Sequence, residues 1–319
     1  MKHSKIFTRN VLRTCLIGFT LMTTSPVFAD TSKLEQIYQQ GIQAYDDEDY
    51  ETAFELLLPL AEQGDPRAQH QIGLMYYFSE GINLNNGEAS IAHKEKAKDW
   101  FTAAAKQGNP DAQVQLADYI LLFFENPIKA TEAVAWLEKA VAQDHAFAKC
   151  QLADIYFEGI KDDVDSGTPV DKVIEPDNVK ALELLFSAAE QDNICAISKL
   201  VRIYKKGENG ISIDLAQSHK WLLKTAVLGN TDSMTMVGDN YLNGYGVEQS
   251  DLHAYMWYHT ASEVAGDTYK PTPEMITQGF VYIDHNAERL RPLIEKMAPE
   301  DITEAKNLSL IWIKEHKPT

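Results

Sequence analysis

The residue types that most often carry chemistry are present, but in arrangements that assemble no familiar reaction centre. Nine histidines are scattered along the 319 residues, and none forms the His-Glu-x-x-His spacing that puts two imidazoles on one helical face for a metal. His285 and Glu288 are the nearest approach. Ser-x-x-Lys, Lys-Thr-Gly and Gly-x-Ser-x-Gly are absent, which removes the common serine acylation signatures, and there is no phosphate loop or dinucleotide fingerprint. The stretch GIKDDVDSGTPVDKVIEPD, residues 159–177, concentrates Asp162, Asp163, Asp165, Asp171, Glu175 and Asp177. Calcium favours such oxygens, but Gly167 stands one position early for an EF-hand loop and no bidentate Glu follows at the required distance. It reads as a solvated acidic loop, and neither a metal nor a cofactor is implied.

A subtler pattern involves amides and carboxylates. One position before a recurring aliphatic residue stand Gln71, Gln115, Gln151, Lys199 and Met236, and two positions after it stand Leu74, Asp118, Asp154, Arg202 and Asp239. Residues three apart share a helical face. Gln71, Gln115, Asp118, Gln151, Asp154, Lys199, Arg202 and Asp239 therefore form a candidate ladder on which amides clamp an extended peptide backbone and carboxylates select cations. The competing reading is plain solvated helix surface.

Six similar helix pairs must position that ladder. A small residue, an aromatic or Leu three on, another apolar residue and a small pair recur as Ala53-Leu56-Leu57-Leu60-Ala61, Ala97-Trp100-Phe101-Ala104-Ala105 and Ala133-Trp136-Leu137-Ala140-Val141. Ala181-Leu184-Leu185-Ala188-Ala189, Ser218-Trp221-Leu222-Thr225-Ala226 and Ala254-Trp257-Tyr258-Ala261-Ser262 continue the series, at offsets of 44, 36, 48, 37 and 36 residues. Each is followed by a turn such as Gln63-Gly64-Asp65-Pro66 or Gln107-Gly108-Asn109-Pro110, with Asp144 where Gly is expected in the third copy. After the turn come Ala68-Ile72-Gly73-Tyr76, Ala112-Leu116-Ala117-Ile120, Ala148-Leu152-Ala153-Tyr156, Ala196-Leu200-Val201-Tyr204 and Ser233-Val237-Gly238-Tyr241. A single pair cannot bury such a face, so the pairs must stack. The expectation is an all-α, right-handed superhelical solenoid of about six helix pairs, with Trp100, Trp136, Trp221 and Trp257 as packing residues. Insertions at Gly81 to Lys94 and Gly159 to Asp177 fall within pairs and emerge on a common edge.

The run Ala-x3-Leu-Gly/Ala-x2-Tyr-x2-Gly followed by Ala-x2-Trp-x3-Ala-Ala-x2-Gly resembles the Sel1-like repeat, a relative of the tetratricopeptide repeat. Met236 to Gly266, MVGDNYLNGYGVEQSDLHAYMWYHTASEVAG, resembles it nearly position by position. The opening unit, Gly41 to Asp65, is closer to the tetratricopeptide form. Glu288 to Trp312 is similar to the capping helices that close such arrays, and a polar outer face is expected there. The organisation expected is a signal peptide at 1–29, a tetratricopeptide-like pair at 30–67, a repeat array at 68–267, and a linker with capping helices at 268–319. The resemblance implies a non-catalytic protein or peptide binder. Some secreted members bind or cleave β-lactams, for which this sequence supplies no nucleophile.

Compartment follows from the first thirty residues. Lys2, Lys5, Arg9 and Arg13 precede the apolar run Leu16 to Met22, and Pro26-Val27-Phe28-Ala29 offers a small-residue cleavage site. Removal of residues 1–29 leaves 25 basic against 47 acidic residues and takes the net charge from −18 to −22. That charge disfavours nucleic acid, and the apolar run is too short for a membrane span. A monomeric periplasmic scaffold is expected; secretion as a host-interaction factor and regulation of a cell-wall enzyme are the alternatives. Cys150 and Cys195 lie at equivalent ends of successive first helices, so they either pair across two repeats or remain separately buried thiols.

Overall fold

The computed structural model describes residues 26–81, 89–123, 127–160, 174–268 and 286–316. Six pairs follow one another: α1 (Pro26–Asp46) with α2 (Tyr50–Glu62), α3 (Pro66–Phe78) with α4 (Ala89–Lys106), and α5 (Pro110–Phe123) with α6 (Pro127–Val141). Then come α7 (Ala146–Glu158) with α8 (Asn178–Glu190), α9 (Ile194–Lys206) with α10 (Leu215–Val227), and α11 (Thr231–Asn243) with α12 (Asp251–Thr268). Among the described residues two further helices follow, α13 (Ala287–Lys296) and α14 (Pro299–His316). Each helix of the array packs on its neighbours in sequence, and α12 also holds α13 and α14. This is an all-α solenoid.

Repetition of the fold comes from repetition of its turns. Asp65, Asn109, Asn193 and Asn230 each cap a first helix by accepting from the backbone N–H three residues on, at Ala68, Ala112, Ala196 and Ser233. Such a cap satisfies a donor the helix itself leaves unpaired. In the fourth pair His145 does this through Nδ1, accepting from Ala148 at 3.1 Å. The residue directly before each Asx or His cap turns the chain: Gly64, Gly108 and Gly229 have φ of +96°, +93° and +92°. Asp144 and Asp192 take φ of +65° and +60° at the glycine-less turns; Asp is among the few side chains that tolerate this region.

Small residues set how closely the helices of a pair approach. A Cβ added at Gly73 would lie 2.6 Å from the Phe101 ring, and one at Gly238 would lie 2.6 Å from Tyr258. Those rings are wholly buried, so each glycine is the socket for the aromatic residue of its partner helix. The core therefore runs along the array as three clusters, with Tyr76 packed against the first two and Val201 against the last two.

Two expectations change at the edges. Helix α4 begins at Ala89, so the first insertion ends sooner than Lys94; its middle, and residues 161–173 with the acidic cluster from Asp162 to Asp171, lie outside the described residues. Ile160 and Ile174 pair in an antiparallel bridge across the neck of the second insertion. The cap meets the array through Trp312, edge-on to Trp257 at 5.2 Å, and through Ser309, which accepts from Thr260 at 2.9 Å. Its outer side is not purely polar, because Leu310 and Ile311 are 53% and 54% exposed.

Candidate partner-binding face

The ladder residues do not all stand free in solvent. At two joints the residue two past the aliphatic core bonds the residue one before it on the next first helix. Gln151 of α7 donates through Nε2 to Asp118 of α5. Lys199 of α9 pairs with Asp154 of α7 at 2.8 Å. Past the last repeat, Arg289 of α13 reaches Asp239 of α11 through Nε at 3.2 Å, and Asp239 also accepts from the Tyr258 hydroxyl at 2.7 Å. The amides and carboxylates are thus rungs that join successive repeats while one side of each remains accessible.

The remaining members divide. Gln71 is only 9% exposed, so that rung is not available to a partner. Gln115 is half-buried on α5, and its predecessor in register, Leu74, cannot pair with it. Arg202 turns instead to Glu208 at 3.0 Å, because Met236 stands opposite. Burial pushes the Asp118 carboxyl above the usual range, opposed by its bond from Gln151; burial and then the bond to Asp239 push the Tyr258 hydroxyl up. Cys150 and Cys195 form a disulfide with a Cα–Cα distance of 6.3 Å, fastening α7 to α9 beside the Asp154–Lys199 rung.

A second recurring network escaped the sequence reading. Gln69, 6% exposed, donates to the Ala61 carbonyl at 3.0 Å and accepts from Gln107 at 2.7 Å. Gln113, 3% exposed, repeats this with Ala105 at 3.2 Å and Gln143 at 3.0 Å. In the next repeat Lys149 takes the position, 4% exposed, and donates to Asp144 and to Ser187 Oγ. The signal was available: each follows the opening small residue, Ala68, Ala112 or Ala148, directly.

Lys149 and Ser187, 2.7 Å apart, resemble a serine nucleophile beside an amine base. The ammonium already donates to Asp144, whose carboxyl it holds below the usual range, and a protonated amine has no lone pair with which to take the serine proton. The pair closes a joint between repeats. Among the described residues no group of three or more His, Cys, Asp or Glu could hold a metal ion, and no helix is long and apolar enough to cross a membrane.

Paired helices, Asx-capped turns and rungs between successive first helices define an α-helical repeat solenoid. Residues 36–65, 66–109, 110–145, 146–193, 196–230 and 231–263 each match the Sel1 repeat, and the chain belongs to the Sel1 repeat family. Sel1 repeat proteins are generally protein-interaction scaffolds. An uncharacterized protein of Neisseria meningitidis is 37% identical over 111 residues, 35% of this chain and 21% of that protein. The chitin synthase regulator SKT5 of Saccharomyces cerevisiae is 26% identical over 258 residues, 73% of this chain and 35% of that protein. The chain thus spans about a fifth and a third of these two relatives. Among solved structures, a Sel1 repeat protein from Oxalobacter formigenes superposes with a TM-score of 0.52 at 23% identity, over 82% of this chain and 98% of that one. A protective antigen of uropathogenic Escherichia coli gives 0.48 at 21% identity, over 91% and 63%.

Proposed function

We propose that this protein is an exported, non-catalytic scaffold of the cell envelope that presents the shared face of its first helices to a protein or peptide partner. The observation that carries the reading is the set of rungs Asp118–Gln151, Asp154–Lys199 and Asp239–Arg289, which orients hydrogen-bonding groups along one face at three joints of the array. Groups already oriented by each other lose little freedom when a backbone docks on them, and ionised carboxylates have acceptor sites to spare. Export is supported by the basic and apolar leader, residues 1–29, and by the disulfide, which persists in an oxidising compartment and rarely in a reducing one. Non-catalytic action is supported by the pairing of Lys149 and by the scaffold role typical of the family.

Affinity capture in the native host tests this. The full chain, expressed with its leader, retains a partner from the osmotic-shock fraction, and replacement of Gln115, Asp118, Gln151 and Asp154 jointly by Ala loses that partner with helical content unchanged. Retention by the variant overturns the reading of this face; recovery of the chain with residues 1–29 intact in the cytoplasm overturns the export.

A further inference from the structure

In register, the rung between α9 and α11 joins Arg202 to Met236, and a thioether cannot pair with a guanidinium. This joint is where the second and third core clusters part, with Val201 touching both. A cavity of about 290 Å³ opens there, lined by Val201, Leu222 and Met236 on its apolar side and by Arg202, Lys205 and Lys206 on its charged side. Arg202 lies three residues beyond Lys199, and Lys205 and Lys206 lie three and four beyond Arg202, so each neighbours Arg202 on one side of α9. Lys205 also lines a smaller cavity of about 160 Å³ next to Asn240 and Tyr245, so one residue borders both hollows.

The local charge opposes that of the whole molecule. One carboxylate, Glu208, serves both Arg202 at 3.0 Å and Lys206 at 3.7 Å. Among the described residues no carboxylate pairs with Lys205. Three cations sharing one anion leave a positive surplus at the mouth of an apolar cavity, on a chain whose net charge is −18. Met236, 38% exposed on the cavity wall, is unbranched and adapts to varied apolar shapes.

We infer that this hollow is a subsite for an acidic peptide segment of a protein partner, with an aliphatic side chain seated on Val201, Leu222 and Met236 and flanking carboxylates held by Arg202, Lys205 and Lys206. The inference rests on the scaffold reading above and names the chemistry of its partner. Charge complementarity selects the occupant: carboxylates gain from the cations locally, while a long polyanion such as nucleic acid meets the acidic surface on either side. The apolar floor is of side-chain size, which gives a peptide an advantage over a bare anion.

Fluorescence anisotropy with the full chain as processed by its host is the test. The probe is a labelled Glu-Glu-Leu-Glu-Glu peptide with blocked ends, compared with Gln-Gln-Leu-Gln-Gln, Glu-Glu-Gly-Glu-Glu, tripolyphosphate and phosphatidylglycerol vesicles. The acidic Leu peptide binds at least about tenfold tighter than its neutral counterpart, and the Gly peptide loses several-fold. Joint replacement Arg202→Gln, Lys205→Gln and Lys206→Gln abolishes the preference, and Met236→Asp weakens the Leu peptide selectively. Arg291→Gln with Lys306→Gln and Lys314→Gln, an equivalent charge change on α13 and α14, leaves it intact. Equal binding of the Gln peptide, equal binding by the triple variant, or tighter binding of tripolyphosphate or vesicles overturns the inference. A native partner captured through the first-helix face but unaffected by the triple variant would sink this subsite alone; loss of any partner on that face would sink the scaffold reading with it.

Discussion

Lys199 and Asp154 form an ion pair of 2.8 Å across the joint between two repeats, and Cys150 and Cys195, each one turn earlier on its helix, bridge the same two helices, α7 and α9. One joint is thus held covalently and electrostatically, whereas the next, between α9 and α11, has neither and contains a cavity. Stacked repeats owe their stability to each unit and to each interface, so unequal interfaces create places where the array is firm and places where it can admit a ligand.

Reduction should therefore act locally. The disulfide closes a sequence separation of 45 residues, which in the chain-entropy account is worth about 4 kcal/mol. Cys150→Ala with Cys195→Ala should lower the thermal midpoint and raise hydrogen exchange first in α7 to α9. Uniform loss of protection across all repeats would show that the joint is not a local staple.

Lys149 stands where Gln69 and Gln113 stand in the preceding repeats, and this predicts an unusual tolerance. Lys149→Gln should cost less than about 1 kcal/mol, since an amide can reach a carbonyl as its counterparts do. Lys149→Ala should cost about 2–3 kcal/mol by leaving a void and unpaired polar neighbours. Urea denaturation that ranks the two variants the other way would refute the equivalence.

The helix sockets allow a steric test. Gly73→Ala places a Cβ 2.6 Å from the Phe101 ring and Gly238→Ala one 2.6 Å from Tyr258. Each should cost about 1–3 kcal/mol, the usual range for overfilling a packed core, and Phe101→Leu should restore much of what Gly73→Ala loses. Crystal structures or melting curves showing both alanines accommodated without loss would contradict the packing described.

Asp118 gives stability a specific dependence on pH. Its carboxyl is raised by burial, so the charged form is penalised on folding; the penalty is present above the folded value and is relieved as pH falls through it. Asp118→Asn keeps an acceptor for Gln151 and removes the charge. It should raise the midpoint at pH 7 by about 1–2 °C, consistent with a solvent-discounted effect on the order of 0.5 kcal/mol, and the advantage should vanish in acid. A variant less stable at pH 7 would reverse the sign of this argument.

The repeat was legible because its small, aliphatic and aromatic residues recur at fixed offsets, and the turns were legible because Gly and Asx have few other uses at such spacing. The shared face of Gln151, Asp154 and Lys199 was legible for the same reason. That Gln151 bonds Asp118 and Lys199 bonds Asp154 was not, since pairing between helices depends on how successive repeats are rotated and shifted, which no spacing within one helix records. Lys205 and Lys206 were passed over because they stand one turn beyond the two ladder positions, and only the opening at Met236 joins them to a cavity. Gln71 sat on the right face but too near α1 to stay exposed. Leu310 and Ile311 break the polar outer face expected of the cap, since spacing within one helix does not record how much of it α12 covers.

Site-specific photo-crosslinking in the native host tests the central claim most directly. A photoreactive residue placed at Gln115 or Met236, on the first-helix face, should yield a discrete crosslinked partner, whereas one at Glu138 or Glu183, exposed on second helices α6 and α8, should not. Crosslinks from Glu138 and Glu183 with none from Gln115 and Met236 would contradict the account and move the binding surface to the second helices.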